Sequence, residues 1–345
     1  MAFSRRVGLL AAAAATVLAA SACSGAATGS SDSSEAATGA FPVTVDSIHG
    51  ESVIPEQPER VVTVSWSNAD TALALGVVPV GMPADAWGGG EDGTTAWVDD
   101  KLEELGAPLG SDGAPELYSE VDGVNFEAIA ALEPDVILAG YSGLTKEEFD
   151  KLSKIAPVVG PQEENYQAPW QDVAKVTGEA LGKPDEADQL VSDIESDFAA
   201  IAEDHPGIED LTFIAANLDL AENTINVYAG GDTRQRLFET LGMTSAPVVE
   251  ENTEEGAFFF EWSVERADEL DSDILYTFIP EGNEMSDVTE DDLYSQIPAV
   301  ANGGLVATRS NEETMSISAA NVLGLPWALE NVIPDFVETA DGLIK

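Results

Sequence analysis

The sequence predicts an α/β protein of two lobes, each built on a parallel-rich sheet, joined by a single long α-helix. Short β-branched runs alternate with amphipathic helical stretches, which is the grammar of βαβ units. That grammar occurs twice. "NFEAIAALEPDVILAG" (125–140) aligns without gaps on "SVERADELDSDILYTF" (263–278), and "RQRLFETLGM" (234–243) echoes "DTALALGVVP" (70–79). Between the copies, Ala187, Leu190, Val191, Ile194, Phe198, Ile201 and Ala202 form one helical stripe.

The elements follow in order. Arg5 and Arg6 precede an apolar run at 7–20, and the small residues Ser21 and Ala22 lead into Cys23, the single cysteine of the 345-residue chain. This resembles the lipobox of bacterial lipoproteins, with Ala20 where Leu is usual, and implies a signal peptide over 1–22 and a lipid on Cys23. "SGAATGSSDSSEAATGA" (24–40) is small, polar and aperiodic, so 23–40 reads as a flexible tether. "RVVTVSW" (60–66) suits a buried strand, and Asn68 is placed to cap a short helix ending at Gly76, with Asp70 in its first turn. "VVPVG" (77–81) reads as the next strand, and Val136–Ala139 as a later one. A helix from Pro184 to Asp204, stopped by His205-Pro206-Gly207, would be about 30 Å long at 1.5 Å per residue. The predicted division is 41–170 for the first lobe, 171–206 for the linking helix region and 207–345 for the second lobe.

Composition limits the function. With 64 acidic against 14 basic residues the formal charge is −50, which argues against nucleic acid and against broad attraction to anionic lipid. Only His49 and His205 are present, too few for a clustered metal site, so direct metal binding is not expected. There is no G-x-S-x-G elbow and no cysteine nucleophile beyond Cys23, so no catalytic constellation is read. An exported hydrolase working through a carboxylate pair is the alternative from another class. The "GGG" at 88–90 lacks the following Lys-Ser/Thr of a phosphate loop. "AGGDT" (229–233) reads as a helix start capped by Asp232 or Thr233, with an anion on the helix N-terminus as the alternative.

The order of lipobox, tether, α/β lobe, long helix and α/β lobe is similar to that of the substrate-binding proteins of siderophore and cobalamin ABC transporters. "IPEQPERVVTVSW", "ADTALALGVVPVGM", "FEAIAALEPDVILAGY", "KIAPVV" and "SISAANVLGLPWALENVIP" carry the resemblance over most of 43–340, and the last most resembles ferric-siderophore binders of Gram-positive actinobacteria. It implies Rossmann-like lobes and a monomeric, non-enzymatic lipoprotein on the outer leaflet of the cytoplasmic membrane. Such a protein would capture a ferric siderophore between the lobes, use no cofactor, and deliver the chelate to an ABC permease and its ATPase. Cobalamin or haem is the alternative ligand. The family's permease-docking acids fall on Asp70 and Glu239. Asp70 also suits a helix first turn by itself, and Glu239 is one of many acids.

Ligand-facing side chains belong on loops after parallel strands. These are Trp66, Ser67, Trp87, Trp97 and Tyr141 in the first lobe, and Tyr228, Arg234, Phe260, Trp262, Arg309 and Met315 in the second. Trp66, Tyr141, Arg234 and Trp262 combine loop position with the family pattern. Aromatics offer area at low entropic cost, and arginine offers a fixed donor fork. Trp327, after Pro326, is assigned to packing. Five arginines follow the signal segment (60, 234, 236, 266 and 309) in a strongly negative chain, which favours a hydroxamate over an anionic catecholate chelate. A single stiff linking helix implies only modest lobe closure.

Overall fold

In this computed structural model, residues 41–254 and 256–344 are described. The expected signal segment and tether, with Cys23, lie outside the described residues. An antiparallel hairpin of β1 (Val43–Val45) and β2 (Ser52–Ile54) comes first, with His49 in its turn. Five parallel strands then form one sheet: β3 (Val61–Thr63), β4 (Gly81–Pro83), β5 (Glu116–Tyr118), β6 (Val136–Leu138) and β7 (Val158–Val159), in spatial order 5-4-3-6-7. β3 and β6 are buried at every position, as expected of β-branched strands covered on both faces. Strand order reverses at β3, so the loops after β3 and β6 flank the crevice typical of open α/β sheets.

The second sheet is mixed. It contains β8 (Thr212–Asp219), β9 (Thr224–Tyr228), β10 (Thr244–Ser245), β11 (Phe259–Ser263), β12 (Ile274–Phe278) and β13 (Leu305–Thr308). The spatial order is 11-9-8-12-13, with β10 beside β8. β10, β12 and β13 run parallel to their neighbours, whereas β9 and β11 are antiparallel. β8 is long enough to serve both modes: Phe213–Ala215 pair with β12 and Ala216–Asp219 with β9. The parallel-rich expectation thus holds throughout the first sheet and for the β10-β8-β12-β13 part of the second.

The helix between the sheets spans Pro184–Asp204, with Pro184 in its first turn and His205 at its C-cap. Its stripe does two jobs. Ala187 packs among Val45, Val61 and Val136, while Val191, Ile194 and Phe198 join Phe213, Phe238 and Phe336. One helix therefore contributes to the packing of both sheets. It is not alone in the linking stretch, because the helix Trp170–Ala180 precedes it and lays Val176 and Ala180 against the first-sheet cluster.

Two local expectations change. "VVPVG" is not a strand: Gly76 N–H donates to Leu73 O and Val77 N–H to Ala72 O, closing the preceding helix, so β4 begins only at Gly81. Asn68 is not an N-cap. Ser67 occupies that position without a side-chain bond, and Asn68 is fully buried. The two aligned stretches also differ at their starts: Ser263 opens a 3-10 helix (Val264–Glu269) without a side-chain cap, whereas Asn125 Oδ1 accepts from Ala128 N–H. Among the described residues no helix is long and apolar enough to cross a membrane.

Candidate functional site

The loops after β3 and β6 are tied together by Asn68. Its Nδ2 shares two hydrogens among Val64 O (2.7 Å), Trp66 O (3.0 Å) and Tyr141 O (2.8 Å), and its Oδ1 accepts from Tyr141 N–H (3.0 Å). Every hydrogen-bonding atom of the amide is used, which offsets the cost of burying it. Trp66 is left 46% exposed on the crevice side and stacks on Tyr166 at 5.5 Å, while Tyr166 meets Tyr141 edge-on at 5.5 Å.

Three cavities meet around Trp87. One of about 520 Å³ is lined by Trp66, Tyr141, Tyr166, Phe258, Arg234 and Met315. A second of about 550 Å³ lies over the ends of β8 and β12, with Asn217, Asp219, Tyr228, Arg234, Phe278 and Asn283 in its wall. A third of about 620 Å³ is acidic, with Asp92, Asp99, Glu281 and Glu312 against Arg309. Trp87 lines all three and meets Phe278 edge-on at 5.8 Å. Volumes of this size suit a small organic ligand held against aromatic walls.

The second-lobe wall carries a closed ion pair. Asp232 caps the helix Thr233–Thr240 by accepting Arg234 N–H at 2.9 Å. The same carboxylate binds the guanidinium through Nε (2.7 Å) and Nη2 (2.6 Å). The guanidinium lies 3.5 Å from the centre of the Tyr228 ring. Burial works against its charge, but Asp232 outweighs burial and holds Arg234 above its ordinary range. The helix start at "AGGDT" is thus occupied by the chain's own carboxylate, in line with the capping reading.

At the seam below, the C-terminal helices cross onto the first lobe. Tyr141 Oη donates to Ser318 O (3.2 Å), Asn311 Nδ2 to Trp87 O (2.8 Å) and Ala96 N–H to Glu312 Oε1 (2.6 Å). Met315 and Ala319 are buried with Ala69, Leu73, Met82 and Trp97, and the Trp97 and Trp327 rings sit 5.3 Å apart.

Of the residues singled out from sequence, Trp66, Trp87, Tyr141, Tyr228, Arg234 and Met315 come together around the first two cavities, Arg309 lines the acidic one, and Ser67 lines a small cavity of about 50 Å³ beneath Trp66. Trp262 does not. It is 5% exposed, packs with Ile225 and Val264 in the second-lobe core, and donates from Nε1 to Arg266 O (2.9 Å). β11 runs antiparallel, so the rule that sites follow strand C-termini did not apply to it. Trp97 is likewise buried, and Trp327 packs as assigned.

Asp70 is also corrected. It is 5% exposed and accepts a hydrogen bond from Trp97 Nε1 at 2.7 Å, inside the seam and out of reach of a partner's surface. Burial pushes its carboxyl up to about 6, with the Trp97 bond pulling back. Glu239 is exposed at the end of its helix. The two histidines are far apart in role: His49 contacts Leu144 O in the hairpin turn, and His205 pairs with Asp341 (2.9 Å). Among the described residues no group of three metal-ligating side chains occurs.

Sequence reasoning missed Tyr166 and Phe258. Tyr166 follows β7, so the strand-end rule could have found it in "GPQEENYQAPW". Phe258 precedes β11 and carried no such signal.

Residues 61–312 match the family described as Periplasmic binding protein. The chain belongs to that family. Among solved structures, it is similar to PiaA of Streptococcus pneumoniae TIGR4 in complex with ferrichrome, with a TM-score of 0.78 and 32% identity over 88% of this chain and 100% of that one. It is also similar to two Bacillus subtilis proteins. The iron(3+)-hydroxamate-binding protein YxeB is 27% identical over 67% of this chain and 65% of its own length. The probable siderophore-binding lipoprotein YfiY is 29% identical over 41% and 39% respectively. The matched segments thus span less than two thirds of these two relatives.

Proposed function

We propose that this periplasmic binding protein is a lipid-anchored receptor on the outer leaflet of the cytoplasmic membrane. In this reading it captures a ferric siderophore between its lobes and hands it to the permease and ATPase of an ABC importer. It acts as a monomer, without cofactor and without catalysis. The domain division at 41–170, 171–206 and 207–345, with 23–40 as tether, belongs to this reading. So do Cys23 as the anchor and Glu239 as the remaining acid for permease docking.

The observation that carries the reading is the aromatic cleft whose arginine is already paired. Trp66, Trp87, Tyr141 and Tyr166 offer ring faces for a bulky, partly apolar chelate. Arg234 can donate to ligand oxygens, but Asp232 cancels its charge, and the neighbouring cavities add Asp219, Asp92, Asp99, Glu281 and Glu312 against Arg309. A highly anionic catecholate complex meets an unfavourable field there, whereas a neutral or cationic hydroxamate complex does not.

Tryptophan fluorescence titrated with ferrichrome, ferrioxamine B, a ferric tris-catecholate, cobalamin and haemin tests this, with iron-free chelators as controls. Saturable quenching by the hydroxamates at sub-micromolar concentration is expected. Selective binding of the catecholate would reject the charge argument, and flat titrations throughout would reject iron-siderophore capture.

A further inference from the structure

Among the described residues, six non-glycine residues have positive φ, and four of them lie in two short loops: Ser65 (67°), Ser67 (55°), Asn165 (54°) and Tyr166 (61°). A left-handed conformation is costly for a residue with a side chain and persists where the surroundings impose it. These loops carry the stacked pair Trp66 and Tyr166 that floors the cleft. Tyr166 is held from one side by close packing on Gly143, where an added Cβ would stand 2.8 Å from the ring. Trp66 is held from its C-terminal side by Asn68, which binds its carbonyl.

The N-terminal side has its own clamp. Glu120, just beyond β5, accepts Ser65 N–H on Oε2 at 2.9 Å, while its Oε1 is buried with no partner. Glu120, Ser65, Ser142, Gly143 and Tyr166 share the wall of a cavity of about 160 Å³. A carboxylate brought to a backbone N–H with half of its hydrogen-bonding capacity unused is poorly explained by stability alone.

We propose that Glu120 is a positioning residue for the aromatic floor: by holding Ser65 left-handed it sets the angle at which Trp66 meets the ferric siderophore. The inference rests on the proposed reading of the cleft. Burial pushes the Glu120 carboxyl up to about 7, the Ser65 bond pulls back, and the charge of Glu148 adds to the rise. The titratable groups facing it are Glu148 from the helix Lys146–Leu152, Tyr166 from the loop after β7, and Tyr118 from β5, whose hydroxyl binds Thr63 O. No cationic side chain lines the cavity. The ionised carboxylate is the stronger acceptor for an N–H donor. Protonation below neutral pH therefore slackens the Trp66 loop, and affinity falls on the acid side.

The experiment compares the parent protein, Glu120→Gln and Glu120→Ala, with ferrichrome as the probe, between about pH 6 and about pH 8. Glu120→Ala should weaken ferrichrome binding about tenfold at the alkaline end. Glu120→Gln, which keeps an acceptor of the same shape, should bind to within about threefold of the parent there. It should also lose the acid-side fall in affinity. A second readout needs no ligand: the fluorescence difference between each protein and its Trp66→Phe counterpart isolates Trp66. That difference should change with pH in the parent and stay flat in Glu120→Gln. If ferrichrome binds none of the proteins, ferrichrome is not the ligand of this cleft, the panel of chelates decides the siderophore reading, and the Trp66 signal alone decides whether Glu120 sets the loop. Parental affinity and Trp66 emission in Glu120→Ala would overturn the inference, as would the parental pH dependence in Glu120→Gln.

Discussion

Each lobe buries one aspartate near the cleft, and the two are accommodated in opposite ways. Asp232 is 7% exposed and locks a guanidinium with two short bonds. Asp70 is 5% exposed, yet the side-chain donor on its Oδ1 is the neutral Trp97 Nε1, among Ala69, Leu73 and Met82. A buried carboxylate either gains a cation or keeps its proton more readily. The second lobe uses the first solution, at a wall that has to face ligand. The first lobe uses the other, at a seam that has only to pack.

The largest expected effect comes from opening the paired site. Asp232→Asn leaves Arg234 charged, largely buried and without its carboxylate, and should lower unfolding stability by about 3 kcal/mol. A urea midpoint equal to the parent's would mean that solvent, not Asp232, satisfies the guanidinium.

The unpaired site should respond with the opposite sign. Asp70 has a folded-state value near 6 against 3.8 when free, so its protonated form is favoured by folding. Its contribution is fully present below the free value and is lost as pH rises through about 6. The parent should therefore lose on the order of 2 kcal/mol between about pH 4 and about pH 7 on this account. Asp70→Asn keeps an acceptor for Trp97 and should be the more stable protein at neutral pH. Superimposable pH–stability curves for the two proteins would remove Asp70 from the comparison.

A smaller change sharpens what the first lobe contributes to the cleft. Trp66 is half-exposed, so Trp66→Ala should alter stability by less than about 0.5 kcal/mol while weakening ferrichrome about tenfold. Equal affinity would transfer the floor's role to Tyr166 and Trp87. Smallest of all, Glu239→Gln should leave both stability and ferrichrome affinity unchanged and reduce only radioiron uptake by cells. An altered affinity would place Glu239 with the cleft instead of the docking surface.

What the sequence disclosed followed from local physics. The helix Pro184–Asp204 has the bounds its stripe, its proline and its His-Pro-Gly stop require. The Asp232 cap forms as its position demands. What stayed hidden depends on distant partners. An aspartate in a first helical turn looks the same whether water or Trp97 faces it, and Trp97 is 27 residues away. Asn68 resembles a cap until Tyr141, 73 residues on, arrives to use its amide. Trp262 sits in a strand whose direction no local pattern fixes, so its burial was not legible. Glu120 was one acid among 64.

The crossing of the C-terminal helices onto the first lobe also bears on the order in which the molecule can be completed. Trp97 packs on Ala69, Leu73 and Met82, but its environment is completed by Met315, Ala319 and Trp327, more than two hundred residues later. The first half can form its sheet while the chain is still emerging, but it cannot finish its interior until nearly the last residues are present. Contacts of such sequence separation form late and slowly. Until those residues are present the chain keeps an open apolar flank, a state that holdase chaperones recognise.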